Sequence, residues 1–249
     1  MEYKAALLAS HGFAALALAF FRYDDLPEDP SELDVEYFLE AVDWLAKHPK
    51  VHPYGIGVQG VSRGAQFALM MASQKPEIKA VVSISPAHCF DSSPVSFKGE
   101  LMDFLHFDRR HVKRDVASGG YIIKNCLTTL HNPPRSAIIP VEDITGRVLL
   151  ICGQDDQSYD SQSMCKIIRQ KLIKAGKRHL VTMVSYPDTG HLIEPPQAPV
   201  CPMAFHRIVN DCLMWGGQPK PHAEAQEDSW QRIIDFFRTN LSPNLNSKL

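Results

Sequence analysis

The chain has 249 residues, of which 45% are hydrophobic and 22% charged, and its formal net charge at pH 7 is −2. This composition is typical of a soluble globular protein, and the length allows a substantial core in one α/β domain or two small ones. The near-neutral charge excludes a general electrostatic attraction to nucleic acid or to anionic membranes. The six cysteines show neither a C-x-x-C pair nor a zinc-type Cys/His spacing, so we expect reduced thiols and no metal site.

Short apolar runs rich in β-branched residues alternate with segments of helical periodicity, which is typical of βαβ units. In chain order, the pattern predicts a helix over 2–10, a buried strand over 13–20, a helix over 34–47, a strand over 54–61, a helix over 63–75, a strand over 79–85, a strand over 148–152, a helix over 161–175, a strand over 179–186 and a helix over 223–240. We expect a mostly parallel sheet with helices on both faces. Asp34 or Ser31 is available to cap the second helix, and Gly176 suits the left-handed residue that follows a helix.

Residues 13–21 form the most apolar run of the chain. A signal peptide is disfavoured because Glu2 does not fit a basic leader and His11-Gly12 interrupts the apolar stretch. Nine residues are also too few to span a bilayer. We therefore interpret the run as a buried strand and expect no membrane span.

Residues 86–140 lack a regular pattern and are rich in Ser, Pro, Gly and charge, so we expect a lid-like insertion over one end of the sheet. No repeat or linker divides the chain, which predicts a single domain over 1–249 with an exposed tail at 242–249. The tail ends in Ser247-Lys248-Leu249, the tripeptide that the peroxisomal import receptor reads. We expect that receptor as a partner and the peroxisome as the location, with the cytosol as the alternative.

Gly60-Val-Ser62-Arg63-Gly64 matches G-x-S-x-G and lies between a predicted strand and a predicted helix. In this context the pattern presents a nucleophilic serine on a sharp turn. Gly60 and Gly64 are expected to leave room at the turn. The following helix supplies a positive dipole end and free N–H groups, including that of Arg63, for an oxyanion. The alternative is a helix-capping serine between two glycines.

A serine hydroxyl needs a base, and the base needs an orienting acid. Asp155 and Asp156 follow one predicted strand and His191 follows the next, which gives the Ser, Asp, His order of α/β-hydrolases. We prefer Asp156 because it lies further beyond the strand end, and we expect Asp155 to be solvated or to cap the next helix. His222 is interpreted as a surface or capping residue.

Several multi-residue blocks accompany these residues: Ile139-Pro-Val-Glu142, Gly153-Gln-Asp-Asp156, Tyr186-Pro-Asp-Thr-Gly-His191, Ile193-Glu-Pro-Pro196 and Trp215-Gly-Gly217. Over almost the whole chain they resemble the C-terminal α/β-hydrolase domain of type I acyl-CoA thioesterases and bile acid-CoA:amino acid N-acyltransferases. The resemblance implies an α/β-hydrolase fold and an acyl-CoA substrate. It places the nucleophile, acid and base on Ser62, Asp156 and His191, in agreement with the interpretation from the residues alone.

The same resemblance separates two reactions, because conjugating members carry Cys at the nucleophile and hydrolysing members carry Ser. An amine attacks an acyl-cysteine thioester readily, whereas activated water more often discharges an acyl-serine oxygen ester. Ser62 therefore favours hydrolysis of fatty acyl-CoA to fatty acid and CoA, without a cofactor. Amino acid N-acyltransfer, a broader carboxylesterase and a non-catalytic fragment stay as alternatives.

Coenzyme A carries a diphosphate and a 3′-phosphate, so a site for it needs cations. The irregular region contains four candidates in one short segment: Arg109, Arg110, Lys113 and Arg114. A solvated basic surface is the alternative interpretation.

The beginning of the chain departs from the family pattern. Full-length members start with an immunoglobulin-like domain and the first hydrolase strands, whereas this chain starts at what resembles the first hydrolase helix, after the Gly-rich loop that donates the second oxyanion N–H. In the family, the strand before that loop lies between the predicted strands 13–20 and 54–61. We expect either a gap there or direct pairing in a different register, with an edge that favours aggregation. Our hypothesis is an N-terminally truncated hydrolase domain that misses the first strands.

Overall fold

A computed structural model describes residues 2–52, 54–207 and 209–242. The helices are α1 (Glu2–Ser10), α2 (Val35–Lys47), α3 (Arg63–Gln74), α4 (Ser161–Lys174) and α5 (Pro219–Leu241). The strands are β1 (Ile56–Val61), β2 (Ile78–Ile84), β3 (Val95–Phe97), β4 (Glu100–Met102), β5 (Lys113–Arg114), β6 (Tyr121–Ile122), β7 (Arg147–Gly153), β8 (Val181–Tyr186), β9 (Met203–His206) and β10 (Asp211–Met214).

The central sheet has four parallel strands in the order β1-β2-β7-β8. In β2 only Lys79 is exposed, and in β7 only Arg147. Near-continuous burial of this kind marks strands that are covered on both faces. Because the four strands run in one direction, their carboxyl ends lie at one edge of the sheet, where the loops of the candidate site begin.

Helices cover both faces of this sheet. On one face, α2, α3 and α4 enclose the larger core, in which Phe38 stacks on Phe67 with ring centroids 4.1 Å apart. On the other face, Trp230 and Phe237 of α5 pack against β2 and β7 together with side chains of α1. Full burial of one such side chain stabilises the fold by about 1.5–3 kcal/mol. The predicted arrangement of helices on both sides of a parallel sheet is confirmed.

The predicted strand over 13–20 is wrong, because these residues lie outside any strand. A cleft of about 630 Å³ lies between them and β1, which among the described residues pairs on one side only, with β2. Of the two expected outcomes, the gap is therefore the one observed. The apolar run is held by side-chain packing instead: Phe13 lies 6.0 Å from Phe237, and Phe20 lies 5.3 Å from Phe38. The predicted burial is wrong as well, because residues 14–16 are exposed and the rest of the run is only partly buried. A strand also needs a neighbouring backbone, and among the described residues the run has none beside it.

Residues 86–140 contain only short elements, as expected for an irregular segment. Two of them, β5 and β6, join β10 and β9 in a second small sheet that the sequence pattern did not predict. Strands of two to four residues are too short to show a period. The inner side of the segment packs on Tyr159 beyond β7, so it lies over the carboxyl edge of the central sheet. The single domain and the exposed tail stay predictions, and residues 243–249 lie outside the described part.

Two predicted caps, Asp34 and Gly176, lie at the start of α2 and just after α4. Asp34 Oδ1 accepts the N–H of Glu36 at 3.0 Å at the start of α2, and Gly176 adopts φ 77° just after α4. Helix α5 begins at Pro219, four residues before the predicted start, since proline suits the first turn of a helix.

All six cysteines are free thiols. Among the described residues, no helix combines the length and hydropathy needed to cross a bilayer, and no cluster of three metal-type side chains occurs.

Candidate active site

Ser62 lies on the sharp turn between β1 and α3 and is half-buried. Its backbone adopts φ 56° and ψ −122°, a conformation that costs about 1–3 kcal/mol for a residue with a side chain. Its N–H donates to the carbonyl of Ile84 at 2.9 Å, and its own carbonyl accepts the N–H of Ala65 at 2.9 Å. The end of β2 and the first turn of α3 thus hold the serine in the strained conformation.

The two glycines of the motif are not equivalent. A Cβ at Gly60 would lie 2.0 Å from the carbonyl oxygen of Gly64, whereas a Cβ at Gly64 would meet no atom within 4 Å. Gly60 therefore allows α3 to approach β1 closely, while Gly64 borders the cleft beside β1. The expectation that both glycines make room at the turn is right for Gly60 and wrong for Gly64.

This difference predicts opposite effects of two alanine substitutions. Gly60→Ala should lower the free energy of unfolding by about 1–3 kcal/mol or more, because the obstructing atoms are backbone and cannot move aside. Gly64→Ala, the matched control, should leave it unchanged or raise it by up to about 1 kcal/mol, because alanine is the better helix former. Urea unfolding of both variants measures the difference. Equal losses would contradict the steric explanation.

Asp156 and His191 form a buried pair. Asp156 Oδ2 lies 2.7 Å from His191 Nδ1, and the two side chains are 2% and 0% exposed. The other carboxylate oxygen, Oδ1, accepts the N–H groups of Ser158 at 2.8 Å and Tyr159 at 3.1 Å. The loop after β7 therefore fixes the carboxylate so that one oxygen is directed to the imidazole.

Asp155 has a different role from the one expected. Its Oδ1 accepts from Gln157 Nε2 at 2.6 Å, and its Oδ2 accepts the N–H of Gly217 at 2.8 Å. It is partly exposed, and each of its carboxylate oxygens accepts a hydrogen bond. It does not cap the next helix, because Asp160 caps α4 by accepting the N–H of Ser163. Asp155 holds the loop that carries Gly217 against the loop that carries Asp156.

The imidazole of His191 lies between two aromatic rings. Trp215 stacks on it with centroids 5.6 Å apart and an interplanar angle of 18°, and Tyr159 meets it edge-on at 5.1 Å. The backbone of His191 is also fixed. Its N–H donates to the carbonyl of Trp215 at 2.8 Å, and the carbonyl of His191 accepts from Ser85 Oγ at 2.8 Å. Within the described ranges Nε2 is buried and has no hydrogen-bond partner. The ring thus presents Nε2 as the nitrogen that can take a proton.

His222 is buried and its ring bonds to the loop around His191, so the interpretation as a surface or capping residue is wrong. Its Nδ1 accepts the N–H of Gly190 at 3.2 Å, and its Nε2 donates to the carbonyl of Leu192 at 2.9 Å. It therefore holds both neighbours of His191 in place. Burial lowers the pKa of His222, which keeps the ring neutral, as an accepting Nδ1 requires. Gly217, at φ 92°, passes so close that a Cβ there would lie 2.3 Å from Nδ1.

Two residues that contact the candidate triad, Ser85 and Tyr159, were not predicted from the sequence. Ser85 adopts φ 47° at the end of β2, and its N–H donates to the carbonyl of Ile151 at 2.7 Å. The Tyr159 hydroxyl donates to the carbonyl of Ser85 at 2.5 Å. Their sequence positions could have indicated that they lie near the site. Tyr159 comes three residues after Asp156, and Ser85 follows the strand adjacent to that of Ser62.

Arg63 begins α3, where first-turn N–H groups have no acceptor within the helix. Its buried guanidinium donates to the carbonyls of Asp91 and Ser93 and to Ser93 Oγ. Burial lowers the pKa of Arg63, and the nearby charge of Asp91 opposes this effect. The side chain therefore anchors residues 91–93 beside the turn, in addition to the backbone role that the sequence suggests.

The four candidate phosphate ligands occupy different surroundings. Arg110 pairs with Asp108, with Nη2 and Oδ2 2.7 Å apart, and this lowers the pKa of Asp108 to about 2. Arg109 lines a surface cleft of about 860 Å³ and has no ion-pair partner in the part of the chain that the structure describes. Lys113 and Arg114 are exposed in β5. Of the four, Arg109 is the cation that combines a cleft with an unpaired charge.

Comparison with known proteins identifies the family. The family described as "BAAT / Acyl-CoA thioester hydrolase C terminal" matches residues 33–243. This chain belongs to that family. Family membership and the parallel sheet confirm the predicted α/β-hydrolase fold class and the resemblance on which it rested.

Curated relatives within the family carry two kinds of name. The chain is 39% identical over 246 residues to a peroxisomal succinyl-coenzyme A thioesterase of Mus musculus. It is 40% identical over 242 residues to acyl-coenzyme A amino acid N-acyltransferase 2 of Mus musculus, and 37% identical over 243 residues to acyl-coenzyme A thioesterase 1 of Homo sapiens. Each alignment covers 97% of this chain and 57% of the relative. The chain thus spans little more than half the length of these proteins.

A solved structure shares the fold at low sequence identity. A puromycin-hydrolyzing peptidase of Mycobacterium tuberculosis aligns with a TM-score of 0.50 and 13% identity over 84% of this chain and 25% of that chain. At this identity the likeness concerns the fold alone.

Proposed function

We propose that this family member is a serine-dependent acyl-CoA thioesterase that hydrolyses fatty acyl-CoA to fatty acid and CoA. The observation that carries the proposal is the arrangement at the carboxyl edge of the sheet, where the strained Ser62 turn accompanies a buried Asp156–His191 pair. The names of the relatives support acyl-CoA as the substrate class. The chain spans 57% of the length of each of these relatives. That the whole protein has this activity is therefore also part of the proposal.

The proposed reaction has two halves. In the first, Ser62 Oγ attacks the thioester carbonyl while His191 Nε2 takes the hydroxyl proton, and Asp156 stabilises the imidazolium through Nδ1. The backbone N–H of Arg63 donates to the oxyanion. Collapse of the intermediate breaks the C–S bond, and the CoA sulfur receives the proton from His191. In the second half, His191 activates water, which releases the fatty acid and restores the Ser62 hydroxyl.

The test follows CoA thiol release from acyl-CoA substrates of several chain lengths, with and without glycine or taurine. We expect release at a rate that the amino acids do not change, with free fatty acid as the product. An N-acyl amino acid product would favour the acyltransferase alternative, which one of the relatives' names supports. Faster hydrolysis of a p-nitrophenyl ester than of acyl-CoA would favour a carboxylesterase. Absence of CoA release contradicts the proposal.

We further propose that Arg109 binds a phosphate of coenzyme A. Arg109→Glu should raise KM for acyl-CoA about tenfold, since a charge-assisted hydrogen bond contributes about 1.5–3 kcal/mol. KM for an acyl N-acetylcysteamine thioester, which carries no phosphate, should not change. The effect of Arg110→Glu should be smaller because Asp108 already pairs with that guanidinium.

The matched control for this charge reversal is Arg178→Glu. Arg178 is exposed and precedes β8, so it lies at the opposite end of the sheet from Ser62. We expect no change in either KM. If Arg109→Glu raised both KM values equally, or if Arg178→Glu had the same effect, Arg109 would have no specific phosphate contact.

We propose a peroxisomal location through Ser247-Lys248-Leu249 and the import receptor that reads this tripeptide. These residues lie outside the described ones, and the name of one relative gives separate support. Residues 243–249 appended to a fluorescent protein should direct it to peroxisomes, and Leu249→Asp should leave it in the cytosol. Cytosolic fluorescence with the unaltered tail would contradict the proposal.

A further inference from the structure

The surface cleft of about 860 Å³ has two walls, which residues 104–109 and residues 128–134 contribute. The N–H of Asp108 in the first wall donates to the carbonyl of Cys126 at 2.8 Å, just before the second wall begins. Leucines on both sides of the cleft are buried in one cluster: Leu105, Leu127 and Leu130. The cleft is therefore preformed, and its volume is in the range of small-molecule sites, about 300–1,000 Å³.

The cleft is connected to the candidate active site by direct contacts. The N–H of Leu105 in the first wall donates to the carbonyl of Phe90 at 3.0 Å. The next residues, 91–93, are anchored by the guanidinium of Arg63, which follows the candidate nucleophile. The buried cluster under the cleft also contains Tyr159, which contacts the candidate triad. This arrangement suits a substrate long enough to reach both the nucleophile and the cleft.

The lining of the cleft combines an aromatic pair, an amide and a cation. The rings of Phe104 and His106 lie with centroids 4.4 Å apart, and Phe104 packs against the larger core whereas His106 is exposed. Asn132 in the other wall is exposed, and Arg109 has no ion-pair partner among the described residues. Aromatic rings stack on nucleobases, an amide bonds to the edge of adenine, and a guanidinium binds phosphate. The lining therefore matches a phosphorylated adenosine.

The negative charge at the cleft is compensated. Among the described residues that line the cleft, Asp108 is the acidic one. Its Oδ2 lies 2.7 Å from Arg110 Nη2 and 3.6 Å from His111 Nε2. The charge of Arg109 is thus left to attract an anion.

We propose that the cleft binds the 3′-phosphoadenosine end of coenzyme A, with adenine stacked on His106 and the 3′-phosphate paired with Arg109. Asn132 then bonds to the edge of adenine, and the pantetheine arm runs toward Ser62. This inference rests on the proposed function, which supplies coenzyme A as the source of the nucleotide. Free adenine nucleotides share the base and the 5′-phosphate but lack the 3′-phosphate.

The first test measures the binding of adenosine 3′,5′-bisphosphate to the full chain by calorimetry, so it needs no catalytic activity. His106→Ala should weaken binding about tenfold, the loss expected when the aromatic partner of a base is removed. His106→Phe keeps an aromatic ring and removes any charge of the imidazole, so it should bind like the wild type. An unchanged affinity in His106→Ala, or an equal loss in both variants, overturns the stacking of adenine on this residue.

The matched control is His48→Ala. His48 forms a similar pair with the exposed Trp44 of α2, with centroids 5.1 Å apart and the same interplanar angle of 51°, but it lines neither cleft. Its substitution should leave the affinity unchanged. A loss equal to that of His106→Ala would mean that the nucleotide does not bind specifically in the cleft.

A second ligand, 5′-AMP, distinguishes coenzyme A from free nucleotides. Because it lacks the 3′-phosphate, it should bind about tenfold more weakly than the bisphosphate to the wild type, whereas the two should bind alike to Arg109→Gln. Equal or tighter binding of 5′-AMP to the wild type overturns the assignment to coenzyme A. If the bisphosphate binds as expected but acyl-CoA releases no CoA, the proposed function fails and the nucleotide site stands. If CoA is released but the bisphosphate does not bind at millimolar concentration, the nucleotide site fails and the proposed function stands.

Discussion

Ser62→Ala should lower the rate of CoA release from acyl-CoA by about 10⁴- to 10⁶-fold, which is the loss expected when the nucleophile of a triad is removed. Ser62 is the hydroxyl on the strained turn, and the methyl group of alanine keeps the backbone conformation and the space around it. KM should change little, since the substitution removes no binding group. Single-turnover thiol release on the purified variant measures the loss. A variant that retains more than one hundredth of the wild-type rate would exclude Ser62 as the nucleophile.

The same position offers a test of strain that is independent of activity. Ser62→Gly and Ser62→Ala both remove the hydroxyl, so they differ only in the Cβ atom. At φ 56° and ψ −122°, a conformation typical of glycine in tight turns, the glycine variant should have the higher free energy of unfolding, by about 1 kcal/mol. Equal stability, or a more stable alanine variant, would show that the turn is not strained.

The sequence predicts the turn at Ser62 and the placement of Asp156 and His191 beyond two later strands well, because both depend on local pattern. A strand, a turn with Gly60, and an amphipathic helix are encoded within about twenty neighbouring residues, and each triad residue follows its own strand. The run over 13–20 shows the limit of such patterns. Its apolar side chains are at most partly buried, and Leu16 is exposed. Whether an extended segment becomes a buried strand depends on a partner that the pattern cannot specify.

The supporting residues of the site, which the sequence either misassigned or did not reveal, act through contacts between distant parts of the chain. His222 bonds to Gly190 across 32 positions, and Tyr159 bonds to Ser85 across 74. Neither residue belongs to a recognised sequence motif, although each lies a few residues from one. Contacts of this kind form only when the loops at the sheet edge are brought together, which explains why these supporting residues could not be predicted from the local patterns that indicate the candidate triad.

Asp156→Ala should lower kcat about 10⁴-fold, whereas Asp155→Ala should have a much smaller effect. Both aspartates are held by the loop after β7, but Asp156 bonds to His191 and Asp155 bonds to Gly217. Asp155→Ala leaves the N–H of Gly217 without its acceptor, which should lower the free energy of unfolding by about 1–3 kcal/mol. Stability will therefore not separate the two variants, and kcat will. A larger loss of kcat in Asp155→Ala would refute the assignment of the acid.

Asp156→Asn gives the sharper version of this experiment, because the structure determines how the amide must lie. The N–H groups of Ser158 and Tyr159 donate to Oδ1, so they select the amide oxygen at that position and turn the amide NH₂ toward His191. A donor facing Nδ1 forces the imidazole to carry its proton on Nε2, the nitrogen that must accept from Ser62. Asp156→Asn should therefore be as inactive as Asp156→Ala, about 10⁴-fold below wild type in kcat, while it keeps the shape of the side chain and nearly all of the stability. An asparagine variant with near wild-type kcat would mean that His191 does not depend on Asp156 for its tautomer, and the proposed mechanism would lose its orienting acid.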